Sequence, residues 1–441
     1  MSIEQLGDLA VAFGIPDGLN SPEFAINAYR VTYEMPYLDS IVMVSGAMYV
    51  PQGINSACGM PTMTYMHGTV FKRSDAPSFM SSEGQMGFLM ASQGFLTLLP
   101  DYVGLGTSNL LHPYIHAESE AQSGISLLQA AQSLGEELGY MMGDQHFLTG
   151  YSQGGHASMA MARAMQEEWS EEFPLTAAAP MSGPYDLTGT QFPLGFNEEA
   201  YSNPAYFAYT AMAWQSVYGD LYTDLSEWII EPYASELPAM FDGLNSAGDI
   251  NDYLPELSVD LLQPGLFETI TAADHPFMLA AQDNNVYEWV PESPVQMYYC
   301  TLDEQVYYQN ALVAEAYMLE QGSSTVTSIN GGEYDHGGCA LFSIFYGTLW
   351  CADQATFCET SGVQEEQSNG NLKAYPNPAA DYVRIDGLLH GAKWLLMDAS
   401  GRIVLQGVAG DQPLELNTGS LARGLYTLKG DRSKVVRIAL H

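Results

Sequence analysis

Polar and apolar residues alternate along Tyr29-Arg30-Val31-Thr32-Tyr33 and again from Ser40 to Val50, where Pro51 ends the run. Alternation of period two predicts a pair of antiparallel strands. Two continuous apolar runs follow. Met60 to Met66 stops at His67-Gly68-Thr69, and Phe95 to Leu99 stops at Pro100-Asp101; both have the length of buried strands, with Ser82 to Ser92 as a crossover helix between them. Glu118 to Leu138 carries Ile125, Leu127, Leu128, Ala131 and Leu134 at helical spacing, with Gly139 placed to cap it. Next come the short strand His146 to Thr149, a glycine-flanked turn, and a helix from about Gly155 to Trp169. Ala177 to Met181, Pro294 to Cys300 and Thr325 to Ile329 read as further strands, with a helical pattern from Val306 to Leu319. Such alternation predicts an α/β fold, a mostly parallel sheet with helices on both faces.

Residues 187–290 interrupt this rhythm with a long stretch that includes Tyr201, Tyr206, Phe207, Tyr209, Trp214, Tyr218, Tyr222, Trp228 and Tyr233. A connection this long between neighbouring strands is not an ordinary loop. It is expected to be an inserted helical cap, its aromatics forming mainly its own core and partly the wall of a site. Gln364 to Asn371 is polar and featureless, which divides the chain into a large domain at 1–363, a linker at 364–372 and a small domain at 373–441. Tyr382 to Ile385, Trp394 to Met397, Ile403 to Leu405 and Leu425 to Leu428 predict a C-terminal all-β sandwich.

The charge changes at the same boundary. Of 441 residues with a formal charge of −39, the last 69 hold nine of the 13 basic residues and six of the 52 acidic ones. The first 372 residues therefore carry −42 and the remainder +3. So acidic a surface excludes nucleic acid and anionic membrane as partners of the larger part. No run of 18 apolar residues predicts a transmembrane segment, and Met1 to Ala10 does not read as a signal peptide. Five cysteines are too few for a disulfide scaffold, and no Cys-x-x-Cys pair suggests a metal. The preferred disulfide joins Cys351 to Cys358 across the shortest loop, with Cys339 to Cys358 as the alternative and Cys300 as a buried thiol.

Gly150-Tyr151-Ser152-Gln153-Gly154-Gly155 places a serine between glycines where a strand meets a helix, the setting of a nucleophile elbow. A serine hydroxyl needs an imidazole to take its proton and a carboxylate to orient that imidazole. Asp303 follows a strand end and is preferred over its neighbour Glu304. His336, in the glycine-rich stretch Gly331 to Gly338, is expected on a loop reaching over the sheet. His156 falls one turn down the elbow helix and is expected to pack inside. Two backbone N–H groups, those of Gln153 and Thr69 (or Val70), are the candidates for stabilising a developing oxyanion. Neither a phosphate loop at Asp101 to Ser108 nor a metal site at His112, His116 and Glu118 is preferred to local packing.

His67-Gly68-Thr69, Pro100 to Gly106, His112-Pro113-Tyr114, Gly150 to His156 and Asp335-His336 together resemble the secretory-lipase branch of the α/β-hydrolase family over residues 25–358. The resemblance implies a capped carboxylic ester hydrolase that needs no cofactor. The tail resembles a type IX secretion system C-terminal sorting domain through Ala374 to Ala379, Met397 to Arg402 and Arg423 to Tyr426. That implies export across an outer membrane, with the secretion machinery as partner and a secreted or cell-surface location. An adhesive binding module is the rival reading of the tail. For the whole chain the expectation is a serine esterase or lipase acting on apolar or aromatic esters, polyesters included. A prolyl-oligopeptidase-like peptidase and an inactive surface binding protein are the alternatives.

Overall fold

The computed structural model describes residues 1–12, 22–55, 57–196, 201–266, 268–358, 372–377, 379–388, 390–398, 402–410, 413–430 and 435–440. The predicted linker therefore lies almost wholly outside the described residues. Contacts divide the chain into Ile26–Glu359 and a second unit made of Met1–Ala25 with Thr360–His441.

The larger unit is built on an eight-stranded sheet: β1 (Ile26–Tyr37), β2 (Ser40–Pro51), β3 (Gly59–Met66), β4 (Leu96–Pro100), β5 (Met141–Tyr151), β6 (Leu175–Met181), β7 (Val295–Tyr299) and β8 (Val326–Asn330). Their spatial order is β1-β2-β4-β3-β5-β6-β7-β8. β1, β2 and β4 pair antiparallel and every later pair is parallel. Burial explains the sequence pattern: β1 keeps one face partly wet and alternates, whereas β3 and β4 are covered on both faces and read as unbroken apolar runs.

The chain begins with α1 (Ile3–Ala12), in the second unit; in the larger unit α2 (Ser82–Ala91), α3 (Ala117–Leu138) and α4 (Gln153–Glu167) return the chain between strands. Gly139 ends α3 in the left-handed conformation, as its position in the pattern predicts. Between β6 and β7 run α5 (Phe192–Gly195), α6 (Ala205–Tyr218), α7 (Tyr233–Met240), α8 (Ala247–Asn251) and α9 (Pro276–Asp283). They close over their own apolar cluster, centred on Trp214, Leu237, Ile250 and Phe277, to which Phe71, Tyr114 and Ile115 contribute from below. α10 (Gln309–Glu320) and α11 (His336–Gln354) complete this unit.

The cysteine pairing differs from the sequence expectation. Cys58 bonds Cys358 across 300 residues and Cys300 bonds Cys339, so Cys351, buried on α11, is in neither disulfide. Loop length misled here, because folding brings Cys58 and Cys358, 300 residues apart in sequence, to within 5.8 Å at Cα.

The C-terminal part is all-β. β9 (Lys373–Tyr375), β10 (Tyr382–Asp386) and β13 (Leu414–Asn417) form one antiparallel sheet. β11 (Lys393–Asp398), β12 (Ile403–Val408), β14 (Gly424–Lys429) and β15 (Val435–Leu440) form the other. Val383, Ile385, Leu396, Leu428 and Ile438 from both sheets share one core, the sandwich predicted from the short strands and turns.

Candidate active site

Ser152 stands alone between β5 and α4 with φ 62° and ψ −121°, a conformation that costs energy for any residue with a Cβ. The turn is held by crowding that only glycine tolerates. A Cβ on Gly154 would fall 1.9 Å from the Met66 carbonyl oxygen, and one on Gly150 would fall 2.2 Å from that of Gly154. The serine N–H donates to Met181 O at 3.0 Å, which ties the elbow to the end of β6.

Three side chains expected at the site meet in one line. His336 Nε2 lies 2.9 Å from Ser152 Oγ, while Nδ1 lies 2.9 and 2.8 Å from the two carboxylate oxygens of Asp303. All three residues are buried, at 6 to 8 % exposure. Asp303 is fixed by its own loop, since Oδ1 also accepts the N–H groups of Gln305 and Val306. With an acceptor carboxylate at Nδ1, that nitrogen carries the proton and Nε2 is left facing the serine.

His336 is not in a loop, as the glycines around it predict, but is the first residue of α11. The loop ends at Asp335, whose carboxylate caps the helix by accepting Gly338 N–H at 2.7 Å. Glu304, weighed against Asp303, faces the same histidine from another side and accepts its backbone N–H at 3.0 Å. Partial burial would raise the Glu304 carboxyl, but hydrogen bonds, first that from His336 N–H, hold it below the usual carboxylate value. Tyr151 OH donates to His336 O at 2.5 Å, and burial followed by the nearby Asp303 charge pushes its hydroxyl well up.

The loop after β3 presses against the elbow: a Cβ on Gly68 would come within 3.9 Å of Ser152 Cβ, with Thr69 next in the chain. His67 is buried, its ring nitrogens facing Gly68 O and Asp101 O, and Thr69 Oγ1 lies 3.1 Å from Tyr114 OH. Gln153, as the first residue of α4, presents an N–H with no intrahelical acceptor. His156 packs inside as expected, at 0 % exposure. His112 and His116 are likewise buried, the first on Val103 O and the Gln153 amide and the second capping α3, whereas Glu118 is exposed.

A cavity of ≈ 70 Å³ opens beside Ser152 and Gln153. Ile115, Leu187, Phe192, Phe196, Phe207 and Val306 supply apolar wall, and Tyr201, Tyr206, Gln191 and Gln305 supply the polar positions. Tyr201 OH and Gln191 Nε2 both donate to Gln305 O at 2.8 Å, so the insertion is tied to the loop that carries Asp303. Sequence reasoning missed one group altogether, a buried carboxylate at Glu120 that touches both Gln153 and His156. Its signal was a glutamate on the face of α3 that carries only small and apolar residues otherwise, Ser123, Gly124, Leu127 and Ala131 among them.

The chain resembles several solved structures. A putative hydrolase from Legionella pneumophila matches with a TM-score of 0.72 and 26% identity, over 80% of this chain and 95% of that one. The rice cell wall degrading esterase LipA from Xanthomonas oryzae matches with a TM-score of 0.69 and 26% identity, over 80% of this chain and 93% of that one. Candida antarctica lipase A, in its closed state, matches at 13% identity and a TM-score of 0.58, over 80% of this chain and 82% of the other, a likeness of fold. No curated protein sequence matches. Residues 373–438 match the family described as the secretion system C-terminal sorting domain. The larger unit thus has the α/β-hydrolase fold of esterases and lipases, and the tail marks the chain for export across the outer membrane. Among the described residues no helix is long and apolar enough to cross a membrane.

Proposed function

We propose that this exported hydrolase is a serine carboxylic ester hydrolase with Ser152 as nucleophile, His336 as general base and Asp303 as the residue that orients His336. In this reading the catalytic domain spans 1–363 with its cap at 187–290, followed by the linker at 364–372 and the sorting domain from 373, whereas contacts alone group Met1–Ala25 with the tail and leave Ile26–Glu359 as the larger unit. The observation that carries it is the unbroken line of hydrogen bonds from Ser152 Oγ through His336 to Asp303.

Ser152 Oγ attacks the ester carbonyl carbon as its proton passes to His336 Nε2, and the carbonyl oxygen becomes an alkoxide. The backbone N–H groups of Gln153 and Thr69 stabilise that charge. Collapse expels the alcohol, protonated by His336, and leaves an acyl-serine. Water, deprotonated by the same imidazole, then releases the acid and restores the serine.

The apolar and aromatic cavity supports esters with an apolar or aromatic acyl group, polyesters among the larger ones. The helical insertion favours this over the peptidase reading, and the completed line of side chains favours it over an inactive binding protein. Replacing Ser152→Ala is expected to abolish labelling by a fluorophosphonate and to lower p-nitrophenyl ester turnover by several decades with the fold unchanged. Undiminished turnover or labelling would overturn the assignment.

A further inference from the structure

Glu120 on α3 is fully buried, as is His156 on α4, and neither takes part in the chemistry above. Glu120 Oε1 accepts Gln153 Nε2–H at 2.8 Å, and Oε2 lies 2.7 Å from His156 Nδ1. Gln153 and His156 are three residues apart, on one face of the first turn of α4. The carboxylate therefore straps that turn to the first turn of α3 by two bonds.

The proton positions follow from the partners. His156 Nε2 faces the Asn284 carbonyl oxygen at 2.8 Å, so Nε2 carries a proton, and a second proton lies between Nδ1 and Glu120. His112 Nδ1 donates to Val103 O at 2.8 Å, which leaves its Nε2 as an acceptor for the other hydrogen of Gln153 Nε2. Burial lowers His112 to about 3, in keeping with a neutral ring. Both hydrogens of the Gln153 amide are thus committed, and its orientation is determined. Asn284 extends the network into the cap: its Nδ2 donates to Tyr218 OH and Ala280 O, and its Oδ1 accepts Ala117 N–H at the start of α3.

A buried carboxylate is a poor way to gain stability, because desolvation of such a pair offsets most of its attraction and apolar replacements are often as stable. We propose that Glu120 is a positioning residue: by holding the Gln153 side chain against α3 it fixes the peptide plane whose N–H meets the oxyanion. This rests on the serine hydrolase reading and adds to it a residue that never touches substrate.

Glu120→Leu removes the strap, while Glu120→Gln keeps every bond, its carbonyl oxygen accepting from Gln153 and its amide donating to a neutral His156. For p-nitrophenyl butyrate, Glu120→Leu is expected to lower kcat and kcat/KM together by about 10–100-fold with little change in KM, and Glu120→Gln to stay within about threefold of the parent. Should Glu120→Leu fail to fold, Gln153→Met, which leaves the Glu120–His156 pair intact, carries the same expected loss. A folded Glu120→Leu or Gln153→Met with the parent kcat, or a Glu120→Gln as impaired as Glu120→Leu, would overturn the proposal. Parent protein that neither cleaves the ester nor reacts with a fluorophosphonate would instead overturn the serine hydrolase reading itself.

Discussion

Glu304 accepts the backbone N–H of His336 at 3.0 Å, so of two adjacent carboxylates one holds the main chain of the histidine while Asp303 holds its ring. The roles separate on substitution. Asp303→Asn presents the wrong partner to Nδ1 and is expected to lower kcat by about 10⁴-fold, as loss of the correct tautomer does in serine hydrolases. Glu304→Gln retains an acceptor for the N–H and is expected to cost less than about tenfold. Steady-state kinetics on the two variants decide it, and equal losses would contradict the division.

Cys300 lies three residues before Asp303 and Cys339 three residues after His336, so one disulfide joins the two segments that carry these two side chains. Thr301 N–H, donating to Gly332 O at 2.9 Å, joins them again. Cys58–Cys358 closes a far longer loop, worth about 6 kcal/mol by chain entropy against about 4 kcal/mol for Cys300–Cys339. The paired replacement Cys58→Ala with Cys358→Ala should therefore lower Tm more and leave kcat of the folded enzyme unchanged. Cys300→Ala with Cys339→Ala should reduce kcat. Thermal melts set beside initial rates test the contrast.

Acid should weaken the fold through histidines buried in their neutral form. Burial lowers His112 to about 3 and His116 and His146 to about 4, from 6.5. The unfolded chain binds protons there that the folded chain refuses, so their contribution is complete above pH 6.5 and is lost as the pH falls towards 4. Urea midpoints should drop steadily from pH 7 to pH 4.5. His146→Leu should flatten that slope whatever it does to the midpoint at pH 7; an unchanged slope would argue against the assignment.

Gly154→Ala should be far more damaging than a single methyl group suggests. The new Cβ would meet the Met66 carbonyl oxygen, main chain that cannot rotate away, so either the elbow or the end of β3 must move. A loss of roughly 2 kcal/mol or more in stability is expected, together with loss of ester turnover. A stable, fully active variant would mean that the turn is looser than its geometry.

Much of the candidate site was legible because each of its three proposed members follows a strand end, where an apolar run stops at polar residues: Ser152 after β5, Asp303 after β7, His336 after β8. Local pattern carries such information. It placed His336 in a loop because Gly337 and Gly338 look like helix breakers, yet capping by Asp335 starts α11 there. The disulfides and the Glu120 network were beyond it for a different reason. Cys58 with Cys358, and Glu120 with Asn284 through His156, become neighbours only once the sheet has assembled. Nothing at either end of those pairs names its partner.

The Cys58–Cys358 bond turns the hydrolase unit into a covalent ring that includes every strand from β3 to β8. A protease that nicks one exposed peptide bond inside that ring releases nothing, since the two sides remain joined through sulfur. On a denaturing gel such a nicked chain would keep its full mass until a thiol is added, and only then separate into pieces. For a hydrolase exported across the outer membrane, a single cut inside the ring thereby leaves both fragments of the unit covalently joined.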